Sequence, residues 1–307
     1  MYSFRSETRE LDDEARRLTD GSFVQLSDGV THYESGNPTG DQTVILVHGF
    51  SVPYYIYDPT FRFLTQQGFR VLRYDLFGRG FSDRPDTDYN IDLFVNQLFE
   101  LLNALNITQP VSLVGLSMGG PITATFTARH PGRVEKLVLI DPAGARTLFL
   151  SRILRVAAAP GIGETLLNLA GNGGIIRTIA SDIFNKRLVE HFVERYMVQV
   201  QYRGFRNAIL STVRNHVIDS CIDIYRQVGA LNKPVLLLWG RHDRTVPLRH
   251  SKDLRAAIPN LEFHILEDCS HIPHYEKPDE TNAILLEFLR QSCTKDCSFT
   301  SPTTNTA

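Results

Sequence analysis

Cysteine is scarce in this 307-residue chain, at four residues, and no apolar run approaches the roughly 20 residues needed to cross a bilayer. Cys221 and Cys269 lie in folded segments and read as small core or pocket residues. Cys293 and Cys297 sit in a polar tail, where nothing argues that they pair, and no second close pair of ligands accompanies them, which argues against zinc. The shortage of long apolar runs excludes a membrane-spanning helix. The N-terminus alternates charges from Arg5 to Asp20 where a signal peptide would carry an apolar core, so the expectation is a soluble, cytoplasmic protein. Charge bias is lacking as well: with a net charge of -2, 42% hydrophobic and 21% charged residues, the composition is that of an ordinary globular protein and not of a nucleic-acid binder.

Residues 143–215 depart from that balance. Nine arginines and Lys186 face four acids there, a local net of +6 that leaves the rest of the chain at -8. Arginine stems covering apolar surface account for such a face more readily than an anionic partner does. Contact with a membrane surface through this segment is expected to be weak at most.

Along the chain, residues 1–20 read as a charged helix. Two short segments, Ser22 to Ser27 and Val30 to Ser35, flank Asp28-Gly29, a two-residue hairpin signal that opens an antiparallel edge. Apolar runs follow at Thr43 to Val47, Arg70 to Tyr74, Val111 to Val114, Leu137 to Ile140, Val235 to Trp239 and Leu261 to Leu266. Their apolar residues are successive, not alternating, which marks strands covered on both faces. Asp92 to Leu105 and Thr281 to Leu289 carry apolar residues at helical spacing. Strand-helix alternation implies the α/β class, a mostly parallel sheet with helices on both faces. Between 143 and 215 there is no good strand, only helical stretches broken by Pro160, Gly161, Gly163 and the Gly171-Asn172-Gly173-Gly174 run. The expected organisation is one core domain from residues 1–142 and 216–293, a helical cap inserted at 143–215, and a disordered tail at 294–307.

Gly115-Leu116-Ser117-Met118-Gly119 follows a strand directly, and a serine between two glycines at such a strand-to-helix corner is forced out of the fold. A serine hydroxyl needs a base to take its proton and a third group to fix that base's tautomer. Asp243 follows the strand Val235 to Trp239, and His271 follows the next one. The order Ser117, Asp243, His271, each beyond its own strand, reads as a catalytic triad. His242 and His274 are the nearby alternatives for the base, and Asp243 taken alone could cap the helix starting near Leu248. Backbone N–H groups of Met118, at the start of a helix, and of Phe50, in His48-Gly49-Phe50, are the candidate oxyanion donors.

The chain resembles the α/β-hydrolase superfamily over nearly its whole length, from His48-Gly49-Phe50 to His271 and the closing helix. Asp75-Leu76-Phe77-Gly78-Arg79-Gly80-Phe81-Ser82 is similar to a loop of that family, and Asp141-Pro142-Ala143 stands where its lids begin. The resemblance implies an eight-stranded sheet. Asp141 is a second candidate for the triad acid, since the family sometimes places it there; the spacing before His271 favours Asp243. Haloalkane dehalogenases and epoxide hydrolases carry aspartate at the elbow, so Ser117 argues against both.

What remains is acyl transfer. The resemblance implies a monoacylglycerol-lipase-like serine esterase with a small-molecule ester substrate, no cofactor and no metal, as a monomer or small homo-oligomer. Tyr54, Leu148, Ile153 and Ile272 are the expected substrate contacts, although ordinary lid-to-core packing explains each of them individually as well. A carbon-carbon hydrolase, a cofactor-free perhydrolase or a small-molecule receptor could use the same scaffold. The first usually has a more glycine-rich stretch than His48-Gly49-Phe50-Ser51.

Overall fold

The computed structural model describes residues 2–147, 158–170, 173 and 183–291. Its strands are β1 Ser22–Leu26, β2 Gly29–Gly36, β3 Thr43–Val47, β4 Arg70–Tyr74, β5 Val111–Leu116, β6 Val134–Ile140, β7 Val235–Gly240 and β8 Glu262–Leu266. They form one sheet in the order β1-β2-β4-β3-β5-β6-β7-β8. The two pairings made by β2 are antiparallel and all others are parallel, as the strand-helix alternation implies.

The hairpin turn departs from its sequence reading by one residue. Leu26 pairs with Gly29, so Ser27 and Asp28 occupy the loop. Gly29 has a φ of +147°, and a Cβ there would stand 2.8 Å from the Asp83 side chain. Both its backbone angle and a neighbour across the fold favour that glycine.

Strand β3 explains why the apolar runs are continuous. Val44 and Leu46 join a buried cluster with Val114, Val138 and Leu236 on one face, while Ile45 and Val47 join another with Leu113, Leu137 and Leu237. Helices Asp58–Gln66 and Pro278–Arg290 cover the first face through Phe61, Leu64, Leu285 and Phe288; Ile91–Ala104 and Gly119–Arg129 cover the second through Phe94, Leu98, Ile122 and Phe126. Each fully buried side chain of this size contributes about 1.5–3 kcal/mol. Asn90 starts the Ile91–Ala104 helix by accepting the Leu93 N–H at 3.0 Å, which satisfies one of the free donors at that end.

The described part of the segment between β6 and β7 contains helices Ile162–Ala170, Val189–Gln199, Phe205–Arg214 and Ile222–Ala230 and no strand. The N-terminus corrects the expectation of a helix over residues 1–20: only Asp13–Arg17 is helical. Phe4 packs with Ala158, Leu210 and Val213, and Arg9 forms a bridge with Tyr202. Buried Glu7 accepts the N–H groups of Gly204 and Arg206 at 2.8 and 2.7 Å, a carboxylate seated on the N-terminus of helix Phe205–Arg214. Four charges of the +6 excess of residues 143–215 are met by acids outside it, Arg146, Arg195, Arg203 and Arg206 pairing with Asp253, Asp58, Glu10 and Glu7, while Arg214 pairs with Glu164 inside it.

The chain leaves β3 for β4 on one side and crosses back to β5 on the other. Connections that diverge in this way open a crevice at the carboxyl ends of the two strands.

Candidate active site

Ser117 stands at that crevice, directly after β5, with a φ of +51° that few residues other than glycine adopt. Its N–H donates to Ile140 O at 2.9 Å, and its C=O accepts from Gly120 at 2.9 Å and Ala143 at 3.0 Å. A Cβ at Gly115 would collide with the Gly119 backbone and Thr123 Oγ1, and one at Gly119 with Val47 O. Both glycines are therefore obligatory for the corner. The serine they position is 9% exposed, at the head of helix Gly119–Arg129.

Asp243 and His271 follow β7 and β8. His271 Nδ1 lies 2.8 Å from Asp243 Oδ2, and Asp243 Oδ1 accepts the N–H groups of Thr245 and Val246 at 2.8 and 2.9 Å. Asp243 thus ties its own turn and does not cap the helix near Leu248. The loops interlock, His242 N–H donating to Cys269 O at 3.0 Å and Ser270 N–H to Glu276 Oε1 at 2.8 Å. Ile140, the acceptor for the Ser117 N–H, precedes Asp141, and a carboxyl oxygen of Asp141, one of Asp243 and a ring nitrogen of His271 all lie within 4.8 Å of one another. One sheet edge therefore holds Ser117, Asp243 and His271. The Asp243–His271 bond makes the cluster a hydrogen-bonded relay.

The loop after β3 abuts the serine: a Cβ on Gly49 would lie 3.2 Å from Ser117 Cβ and 3.8 Å from its Oγ. The N–H groups of Phe50 and Met118 meet no acceptor among the described residues.

The sequence profile of the alpha/beta hydrolase fold matches residues 42–278. The chain belongs to the alpha/beta hydrolase fold family. A 2-hydroxy-6-oxononadienedioate/2-hydroxy-6-oxononatrienedioate hydrolase of Klebsiella pneumoniae is 30% identical over 271 residues, covering 82% of this chain and 88% of that protein. Among solved structures, a meta-cleavage product hydrolase of Pseudomonas fluorescens is 26% identical with a TM-score of 0.72, over 88% of this chain and 97% of its own. A thermophilic esterase of Thermogutta terrifontis, at 22% identity and a TM-score of 0.75 over 88% of this chain and 98% of its own, shares the fold.

In this alpha/beta hydrolase, two buried side chains that sequence reasoning left without a role hold the loop after β3. Burial drives His48 down to about 4, so it stays neutral; Nδ1 donates to Gly49 O and Nε2 accepts the Leu76 N–H, both at 2.9 Å. Arg79, fully buried, donates from Nε to Phe50 O at 2.8 Å and from Nη2 to Thr212 Oγ1 at 2.8 Å, joining that loop to helix Phe205–Arg214. The sequence signal was an arginine inside the Asp75 to Ser82 loop, which is similar to a loop of the family. Asp75, in the same loop, accepts from His32, Tyr54 and Phe81 and is structural.

The remaining candidates fall elsewhere. The Tyr54 ring lies 4.8 Å from His32 and 4.5 Å from the Arg73 guanidinium, contacts on the β2 side of the sheet. Ile272, 4% exposed, packs into the core cluster containing Val44 and Leu46. Leu148 and Ile153 lie outside the described residues, as does the tail with Cys293 and Cys297. His242 is exposed and stacks on Phe184 at 5.0 Å.

His274 is fully buried against Tyr57, and burial, with the charge of His271 next, pushes it down to about 3. A histidine with that shift cannot serve as a base near neutrality. Because the unfolded chain takes up this proton near pH 6.5 and the native state does not until about 3, His274 costs stability as pH falls through that window. Between pH 7 and 5, wild type should lose about 2 kcal/mol relative to His274→Phe, read from urea midpoints. A gap that stays constant with pH would refute the burial of a neutral ring.

Proposed function

We propose that the protein hydrolyses carboxylic esters through an acyl-enzyme on Ser117. The carrying observation is that the left-handed Ser117 corner and the Asp243–His271 hydrogen bond occur at one sheet edge. His271, with Nδ1 held by Asp243, takes the Ser117 proton on Nε2 as Oγ attacks the ester carbonyl, then delivers it to the departing alcohol. Water, deprotonated by the same nitrogen, releases the acid. The N–H groups of Phe50 and Met118 stabilise the oxyanion, backed by the helix N-terminus. Residues 143–215 form the lid over the acyl pocket, and the protein works as a soluble cytoplasmic monomer or small oligomer.

The Klebsiella and Pseudomonas relatives favour a second reading, hydrolysis of a carbon-carbon bond beside a carbonyl. Turnover of p-nitrophenyl esters of graded acyl length, set beside a 2-hydroxy-6-oxo dienoate ring-cleavage product, separates the two. The ester reading expects at least tenfold higher kcat/KM on the best ester; the reverse ranking assigns the chain to the carbon-carbon class.

A further inference from the structure

Asp141 ends β6 with no exposed surface and a φ of +41°. The β6–β7 ladder fixes it: its N–H donates to Leu238 O at 3.0 Å, and its Oδ1 accepts the Gly240 N–H at 2.9 Å. Its other oxygen, Oδ2, meets no donor among the described residues. What the carboxyl has nearby instead is the Asp243 carboxyl, another acceptor, with an oxygen within 4.8 Å of one of its own. Two adjacent buried negative charges would cost several kcal/mol, so one carboxyl of the pair keeps a proton.

Which partner keeps the proton follows from the donors around each. Asp243 accepts three N–H groups, from Thr245, Val246 and His271; Asp141 accepts one. We propose that Asp141 is a neutral carboxylic acid whose O–H donates to Asp243, a positioning residue that holds the triad carboxylate toward His271 and limits the charge behind the base to one.

Burial first, then repulsion by Asp243, pushes the Asp141 carboxyl well above the usual carboxylate range, in the same direction as the geometry. The other titratable groups facing it are His271, Glu276 and Cys269; burial raises Glu276 and Cys269 too. Among the described residues, neither Lys nor Arg forms an ion pair with Asp141. The proposal rests on the triad reading but is separable from it.

The test compares Asp141→Leu with Asp141→Asn, whose Nδ2–H can replace the donated O–H while its Oδ1 still accepts from Gly240. Without the donor, Asp243 is more basic and less well oriented. Asp141→Leu should lower kcat/KM on a p-nitrophenyl ester about 10- to 100-fold and move the acid limb of its pH profile upward by about half a unit or more. Asp141→Asn should rescue the loss to within about threefold and restore the limb. Infrared difference spectra of wild type minus Asp141→Asn should contain a protonated-carboxyl C=O band at neutral pH, a readout independent of activity and of whether Asp141→Leu folds. The proposal is overturned if that band is absent, if Asp141→Asn is as impaired as Asp243→Asn, or if Asp141→Leu keeps the wild-type profile. Fluorophosphonate labelling of Ser117 in each variant shows whether the triad reading stands when this one falls.

Discussion

Ser117→Ala lowers kcat on the best ester by about 10⁵- to 10⁶-fold and leaves KM within a fewfold, because the lost interaction forms only as the carbonyl is attacked. The size follows from geometry: with Oγ gone, neither the His271–Asp243 pair nor the backbone donors have a nucleophile to act through. Stability should hold. The corner is secured by the Ser117 backbone bonds to Ile140, Gly120 and Ala143 and by the absence of Cβ atoms at Gly115 and Gly119, none of which the substitution alters. Alanine at a φ of +51° is no less comfortable than serine by more than about 0.5 kcal/mol. The measurement is a Michaelis curve alongside a urea midpoint; retention of more than a hundredth of wild-type kcat in protein free of wild-type contamination would end the nucleophile assignment.

His271→Ala should be nearly as damaging in kcat while the protein still folds. Asp243 keeps its bonds from Thr245 and Val246, and the loop keeps the Ser270–Glu276 clamp, so the truncation leaves a small space and costs about 1–3 kcal/mol. Since base and nucleophile act as a unit, Ser117→Ala/His271→Ala should be no slower than either single variant. Additive losses in the double variant, or a fall in activity tracking a fall in stability, would make His271 structural.

Much of this was legible because it is local. Five of the six apolar runs after the hairpin carried their two-sided burial in composition, while Leu261 to Leu266 forms the partly buried edge strand β8; the crowded corner at Ser117 announced itself through Gly115 and Gly119. Asp243 and His271 were legible through order along the chain, since each follows a strand whose carboxyl end lies on the same edge. What escaped depends on register or on distant neighbours. Gly29 answers to Asp83, more than fifty residues away, so the turn was read one residue late. The N-terminal charges suggested a helix because nothing in them indicated that Glu7 would seat on a helix end near residue 205. Asp141 was weighed as a substitute for Asp243; only the β6–β7 ladder, Ile140 opposite Leu238, places the two carboxyls together.

The central claim is that turnover passes through a covalent bond at Ser117 Oγ. Acid-quenching the enzyme during turnover of a slowly deacylating ester, then mapping peptides by mass, tests it most directly. The prediction is an acyl mass on the peptide containing Ser117, absent from Ser117→Ala and decaying at the rate of product release. An enzyme that turns the ester over with no such adduct, or with the adduct on another residue, would contradict it.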